Sequence, residues 1–407
     1  MKIAIVVQRY GIQINGGAEL HARQLAEHLD QQHDVEIITT KAESYLTWDN
    51  AINTDTEYVN NIKVHRFASG EKNNKLQHYY YRKLRNRSKI PIFLRKLGLN
   101  KLANSAIFDF KNYFTKWQQY QGPYCPELPK FIEAHQDDYD IFIFFTYLYY
   151  PTNSGLPIVA QKSLLIPTAH NEKPFFFNGF KYLFKQAKFI MYNSHSEKKL
   201  VEKTYPVAQK TKNDIAGVGI DPPVFTIGDR PVKEKYFVYI GRIDHAKNIP
   251  ELVQMFNQYS ENKDVKLILI GKNDHVKDIS GKNIIATGFI SEQEKNNWLY
   301  HSEALIIPSK FESLSMVTLE AMKMGIPVIA NKNAEVLNDH IIQSQAGLAY
   351  DTYEDFEMAL DNILQLTDKQ RETMEINGKK YVENYYQWDK IMKKFDKAFK
   401  YIKQTNR

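Results

Sequence analysis

Apolar residues follow two rhythms along the chain. Short apolar runs at 3–7, 141–145, 164–167 and 189–192 leave no alternate position for water, so they read as strands covered on both faces. The segments 35–38 and 62–67, interrupted by Glu36 and by Lys63, His65 and Arg66, are further strand candidates. Between 3–7 and 35–38 lie a polar loop at 8–15, the pair Gly16-Gly17, and then Leu20, Leu25, Ala26 and Leu29 at helical spacing. A strand, loop, helix and strand in that order predict a parallel sheet with helices on both sides. Residues 70–124 are rich in Lys, Asn, Tyr and Phe and less regular, and they read as an insertion between strands.

Near residue 220 the pattern starts again. Strands are expected at 236–240, 265–270, 283–287, 304–307 and 327–330, with helices at 249–259, 292–301 and 316–324 between them. After Asp351 the chain reads as helix, ending at 387–404 with a stripe of Trp388, Ile391, Phe395, Phe399 and Ile402. The expected class is α/β, with two Rossmann-like units at 1–220 and 221–385. Asp221-Pro222-Pro223 is a hinge between them, and a last helix at 386–407 crosses back to the first unit. Two such units form a clam-shell that faces its ligands across a cleft, at the carboxyl ends of the strands.

A length of 407 residues suits two or three domains, and 43% hydrophobic with 25% charged residues excludes wholesale disorder. The longest apolar stretch, 141–150, is broken by Thr146 and falls well short of the roughly 20 residues of a membrane span. The first residues carry no apolar stretch of signal-peptide length, so a cytoplasmic protein is expected. One cysteine, Cys125, excludes an intramolecular disulfide framework and a multi-cysteine metal site.

The net charge of +7 is uneven. Residues 1–220 hold 29 Lys/Arg against 20 Asp/Glu, a net of +9, and the rest hold 25 against 27, a net of −2. Arg82, Lys83, Arg85, Arg87, Lys89, Arg95, Lys96 and Lys101 follow one another with no acidic residue between them. Such a run either attracts phosphates, of anionic lipid or of nucleic acid, or forms a solvated face.

Asp138-Tyr139-Asp140 has the Asp-x-Asp form that holds a metal–diphosphate in some sugar transferases. It precedes a strand, whereas ligand-facing groups of a parallel sheet follow strands, so no metal is expected there. Gly16-Gly17 allows close approach of a ligand to the backbone ahead of a helix amino terminus, and a plain turn would look the same. Gly241-Arg242-Ile243-Asp244-His245-Ala246-Lys247-Asn248 directly follows a strand, so Arg242 and Lys247 lie at its carboxyl end, where two cations suit a diphosphate. Glu312 and Glu320 are eight residues apart. A fully helical segment sets both carboxylates on one side. A helix starting near Ser315 instead leaves Glu312 in a loop and turns the N–H groups of Ser315, Met316 and Val317 toward an anion.

Taken together, these motifs resemble the retaining GT-B glycosyltransferases of family 4. The resemblance rests on Gly16-Gly17-Ala18-Glu19, Thr168-Ala169-His170-Asn171-Glu172, Gly241-Arg242-x-Asp244-x-x-Lys247-Asn248, Pro308-Ser309-x-x-Glu312, Glu320-Ala321-Met322 and Gly325-x-Pro327-Val328, in order over nearly the whole chain. It implies that Gly16 and Gly17 shape the loop over the donor phosphates and the acceptor, and that His170 contacts the donor sugar. Arg242 and Lys247 would bind the diphosphate, with Gly241 beside them. Glu312 would hold sugar hydroxyls, and Glu320 the ribose. Ser313-Leu314-Ser315 departs from the commoner Pro-Phe-Gly of that family.

The implied activity is metal-independent sugar transfer with retention, from a UDP- or GDP-linked donor to a glycan or lipid-linked acceptor in surface polysaccharide synthesis. The run 82–101 would then rest on the inner face of an anionic membrane. A nucleotide-sugar 2-epimerase relative needs acid/base carboxylates from the first unit, where Glu19 and Glu172 are the few candidates. A basic nucleic-acid-binding protein would leave Arg242, Lys247, Glu312 and Glu320 without a role, so nucleic acid is not an expected partner.

Overall fold

The computed structural model describes residues 1–14, 16–273, 276–277 and 279–405. Its contacts divide the chain into two compact units: residues 1–217 with 391–407, and residues 218–390.

The first unit is built on an eight-stranded sheet of β1 (Lys2–Val6), β2 (Asp34–Thr40), β3 (Thr56–Val59), β4 (Ile62–Phe67), β5 (Ile141–Phe145), β6 (Ser163–Ile166), β7 (Phe189–Tyr192) and β8 (Lys212–Ile215). The order is β3-β4-β2-β1-β5-β6-β7-β8, and every pair is parallel except β3 with β4. Its helices are α1 (Gly17–Asp30), α2 (Asn74–Arg87), α3 (Lys89–Lys96), α4 (Asn100–Ala103), α5 (Lys111–Gln121), α6 (Glu127–Ala134), α7 (Tyr150–Gly155), α8 (Lys181–Gln186) and α9 (His195–Thr204).

The segment expected to be irregular, 70–124, is mostly helical, formed by α2 to α5. Asn73 starts α2 by accepting the Leu76 N–H at 3.0 Å. Leu84, Ala103 and the fully buried Trp117, which packs against Phe114, Phe177 and Phe180, then seat the helices on the core. The strands β3 and β8 escaped sequence reading because they are short and polar edge strands.

The second unit carries the six-stranded parallel sheet β11-β10-β9-β12-β13-β14, made of β9 (Lys235–Ile240), β10 (Val265–Ile270), β11 (Ile284–Gly288), β12 (Leu305–Ile307), β13 (Val328–Asn331) and β14 (Gly347–Tyr350). Its helices are α10 (Ile249–Tyr259), α11 (Glu292–Tyr300), α12 (Met316–Met324), α13 (Glu335–Ser344), α14 (Tyr353–Leu364) and α15 (Asp368–Tyr385). Ser291, Thr352 and Thr367 open α11, α14 and α15 with reciprocal caps, which stop the amino-terminal N–H groups from being left unpaired. The core, centred on Phe237, Tyr239, Leu267, Leu269 and Ile306, lies between sheet and helices.

Helix α16 (Trp388–Gln404) ends the described chain, and from Ile391 onward it belongs to the first unit. Ile391, Phe395, Phe399 and Ile402 are fully buried, each contributing roughly 1.5–3 kcal/mol. Lys394 donates to the Ile215 carbonyl, and Lys403 pairs with Asp140 at 3.1 Å. Asp140 also accepts the Lys2 N–H at 2.9 Å, Tyr139 donates to Glu36 at 2.6 Å, and Asp138 meets His135 at 2.7 Å. The Asp-x-Asp therefore ties the amino-terminal ends of β1 and β5 to α16.

Candidate active site

Both sheets reverse their winding at one place, beside β1 in the first unit and beside β9 in the second. Loops leaving the carboxyl ends of the strands there are the natural ligand-binding positions of such a sheet.

In the second unit, segments 241–248 and 308–315 leave β9 and β12. Gly241 has φ 151°, and a Cβ on it would lie 2.7 Å from the Tyr239 hydroxyl. Burial holds that phenol well above its usual range, and it donates to the Arg242 carbonyl at 2.7 Å. Asp244, 7% exposed, then orders the turn. It accepts the Lys247 N–H at 2.7 Å and pairs with the Arg242 guanidinium at 3.2 Å. Asn248 takes a left-handed conformation ahead of α10, and its amide reaches the Pro308 carbonyl at 3.3 Å, tying the two segments together. The Lys247 ammonium meets Glu312 at 2.6 Å, with both side chains only part-exposed.

Of the two arrangements open for Glu312 and Glu320, the structure has the second. Glu312 is in a loop and α12 begins at Met316. The break comes from Ser315, whose φ of 66° is left-handed and cannot continue the helix inward. Met316 and Val317 occupy the first turn of α12, where N–H groups have no acceptor within the helix. Glu320, one turn further on, pairs with Lys295 of α11 at 3.4 Å. Burial pulls the Lys295 ammonium down, but Glu320 and Glu292 outweigh it and hold its pKa above the usual lysine range. The segment thus offers a guanidinium, an ammonium, a loop carboxylate and a helix amino terminus, a set able to hold an anion and hydroxyls together.

Ser315 makes a further expectation. The left-handed backbone costs a residue with a Cβ roughly 1–2 kcal/mol, and the serine hydroxyl, 2.9 Å from that of Thr318, offsets part of this. Ser315→Gly should therefore be about 1 kcal/mol more stable than Ser315→Ala in urea unfolding. Alanine more stable than glycine, the order of helix propensity, would contradict the left-handed assignment.

In the first unit, Gly16 has φ 155°, and a Cβ there would lie 2.1 Å from Glu19 Oε2, so glycine is required. A Cβ on Gly17 meets nothing within 4 Å. Glu19 Oε1 accepts from Gln8 at 2.9 Å and from Arg9 Nε at 2.9 Å, and Thr146, after β5, donates to Gln8 at 3.2 Å. His170 follows β6, its Nε2 is 3.6 Å from Glu172 Oε1, and Tyr147 donates to that same oxygen at 2.6 Å.

Glu197 of α9 was not singled out from the sequence. It is buried, and its two oxygens accept the N–H groups of Ala169 and Asn193 at 2.5 Å, which fixes the segment carrying His170. Burial pushes its carboxyl up to about 8 against these N–H donors. His340 was likewise missed, and Asp244 was seen as a motif residue but given no role. Each acts through a backbone group, which leaves no mark in residue spacing.

Residues 224–381 match a family model described as glycosyl transferases group 1. The lipopolysaccharide 1,2-N-acetylglucosaminetransferase of Salmonella typhimurium is 27% identical over 40% of this chain and 47% of its own. The putative teichuronic acid biosynthesis glycosyltransferase TuaC of Bacillus subtilis is 25% identical over 24% of this chain and 25% of its own. The chain spans about half the length, 45% and 47%, of the first curated relatives it matches. Sucrose-phosphate synthase from Thermosynechococcus elongatus superposes with a TM-score of 0.69 at 17% identity over 98% of both chains. Anabaena HepE, solved with UDP and glucose, superposes with a TM-score of 0.66 at 15% identity over 98% of this chain and 99% of its own. The chain has the GT-B fold, and residues 224–381 of its second unit match the glycosyl transferases group 1 family.

Proposed function

We propose that this protein is a retaining glycosyltransferase of family 4 type, moving a sugar from a UDP- or GDP-linked donor to a glycan or lipid-linked glycan acceptor in surface polysaccharide synthesis. The observation that carries the reading is the joining of Lys247 to Glu312 at 2.6 Å, beside Arg242, where the second sheet reverses. Arg242 and Lys247 neutralise the diphosphate, and the N–H groups of Ser315, Met316 and Val317 donate hydrogen bonds to its oxygens. Glu312 then holds donor-sugar hydroxyls, and Glu320 the ribose. An acceptor hydroxyl oxygen bonds to the anomeric carbon as the carbon–phosphate oxygen bond breaks on the same face. The hydroxyl proton passes to the departing phosphate oxygen. To the first unit the same reading assigns His170 for the donor sugar and Gly16 and Gly17 for the phosphates and acceptor.

The relatives named for lipopolysaccharide and teichuronic acid synthesis support the acceptor class. The 2-epimerase reading loses one of its carboxylates, because Glu19 is buried in its pairing with Arg9 and Gln8. A thermal-shift panel of UDP- and GDP-sugars tests the donor class. A bound donor at 100 times its Kd adds about 2.7 kcal/mol, and no response to any member would sink the proposal. NMR of the product anomer tests retention, with an inverted anomer overturning it. Activity in a chelator should match that in buffer, since two cations supply the charge a magnesium ion would. Loss of activity restored by added metal would contradict this.

The same reading places the work at the cytoplasmic face of an anionic membrane. Among the described residues no helix is long and apolar enough to cross a membrane. Arg95 must be withdrawn from the outward cationic run, because it donates to the Phe176 carbonyl at 3.1 Å and to Asn178. Arg87 lies over the Tyr113 ring at 4.3 Å. Arg82, Arg85, Lys89, Lys96 and Lys101 stay exposed, as do Tyr79, Ile90, Phe93, Leu97, Leu99, Leu102 and Ile107. Aliphatic side chains beside cations favour a lipid surface over nucleic acid, with each cation worth about 1 kcal/mol near anionic headgroups. Salt-sensitive sedimentation with anionic vesicles, and little with neutral ones, is expected. Replacing Arg82, Arg85, Lys89 and Lys96 with Gln should abolish it without changing donor affinity. Equal partition onto both vesicle types, or none, would leave only a solvated face.

A further inference from the structure

The segment 308–315 runs between a strand and a helix without belonging to either, so its conformation depends on side chains that reach it from elsewhere. Lys247 and Asn248 hold its outer part. His340 of α13, which is 1% exposed, reaches its inner end. His340 Nε2 lies 2.8 Å from the Leu314 carbonyl oxygen, and Nδ1 lies 2.9 Å from the Tyr381 hydroxyl of α15. A carbonyl can only accept, so Nε2 carries the proton and Nδ1 accepts from Tyr381. The Tyr386 hydroxyl stands 3.4 Å from that of Tyr381, and both rings meet the imidazole edge-on. Burial keeps the imidazole neutral by pulling it down to about 4, as this donor–acceptor arrangement requires.

The peptide bond between Leu314 and Ser315 is planar and trans, so its C=O and N–H point in opposite directions. Drawing the Leu314 carbonyl inward to His340 therefore turns the Ser315 N–H outward. That N–H belongs to a residue whose left-handed φ of 66° is unfavourable by itself and needs such a restraint.

We propose that His340 is a positioning residue for the donor: through the Leu314 carbonyl it fixes the peptide plane that presents the Ser315 N–H to a phosphate oxygen of the nucleotide diphosphate. This rests on the reading of 308–315 as part of the donor site. His340 itself touches no substrate. Tyr381, by donating to Nδ1, supports the tautomer that the Leu314 carbonyl requires, so it shares the task.

The test compares wild type with His340→Phe, His340→Gln and Tyr381→Phe. Calorimetry measures binding of UDP and GDP and of the matching nucleosides, uridine and guanosine, at a temperature where each variant is folded. His340→Phe should weaken the better-bound diphosphate roughly tenfold, the scale of one lost hydrogen bond to a charged group. It should leave the nucleoside within about twofold, since the nucleoside has no phosphate to feel the amide. His340→Gln, whose amide can still donate to the Leu314 carbonyl, should recover most of the loss. Tyr381→Phe should fall between them and serves if the phenylalanine variant fails to fold. Hydrogen exchange over residues 313–318, with no nucleotide present, should accelerate in His340→Phe and Tyr381→Phe.

Variants less stable than wild type that bind the diphosphate equally well would make His340 structural only and overturn the proposal. Equal loss of nucleoside and diphosphate would overturn it too, as general damage to the site. If wild type binds neither diphosphate, the donor-site reading itself fails and takes the proposal with it. That outcome differs from the others because it appears before any substitution is made.

Discussion

Lys247→Ala and Arg242→Ala should each lower turnover by about two orders of magnitude or more. Charge develops on the departing diphosphate, and a fixed donor aimed at it is typically worth roughly 3–4 kcal/mol in the transition state. Lys247 has a second duty, since its ammonium neutralises Glu312 at 2.6 Å. Removing it leaves a part-buried carboxylate beside a diphosphate, so donor affinity should fall together with kcat. The Lys247→Ala, Glu312→Gln double variant should bind donor better than Lys247→Ala, because the repulsive charge is gone, yet remain slow. Arg242 pairs with Asp244, which also holds the Lys247 N–H, so Arg242→Lys keeps charge and should retain more activity than Arg242→Ala. Near-normal turnover in both alanine variants, with folding intact, would remove the diphosphate assignment.

Much of this arrangement was legible in the sequence because strands buried on both faces and helices with one apolar stripe leave distinct patterns. The runs at 141–145 and 189–192 are strands at those bounds, as is the alternating segment 62–67, and 249–259 and 316–324 are helices at theirs. The edge strand β8, Lys-Asn-Asp-Ile, was illegible for the opposite reason: it has one neighbour and needs no apolar run. The helices of 70–124 were hidden because their apolar faces are narrow and their seating depends on Phe177 and Phe180, far along the chain. Spacing alone allowed Glu312 on a helix or in a loop. The backbone of Ser315 decides it, and that conformation depends on His340 and Lys247, distant in sequence. The motif residues, Asp244 among them, were visible, whereas the orienting roles of Asp244, Glu197 and His340 were not, because they act on backbone N–H and C=O groups that every residue possesses.

Acid should separate wild type from a His21→Leu variant more than any surface change would. His21 of α1 is buried against the edge of Phe145, and its Nε2 has no hydrogen-bond partner. Burial pulls the imidazole from its ordinary 6.5 down to about 3, so the folded protein keeps it neutral where the unfolded chain takes up a proton. The unfolded state then binds more protons, and stability falls as pH drops from 6.5 toward 3, with none of this loss above 6.5. At pH 5 the deficit is about 2 kcal/mol, at about 1.4 kcal/mol per pH unit below 6.5. Glu197 works in the other direction. Its carboxyl, raised by burial to about 8, contributes stability that is full below 4.5 and lost as pH rises through 8. The pH curve of wild type alone therefore mixes opposing slopes, and the difference between variants is the informative quantity. At pH 8, His21→Leu should be about 1 kcal/mol more stable than wild type, because a buried polar atom without a partner is gone. At pH 5 the advantage should grow by about 2 kcal/mol, roughly thirtyfold in the folding constant, in urea unfolding at both pH values. An advantage independent of pH would mean that the imidazole takes up its proton in the fold as readily as in the unfolded chain.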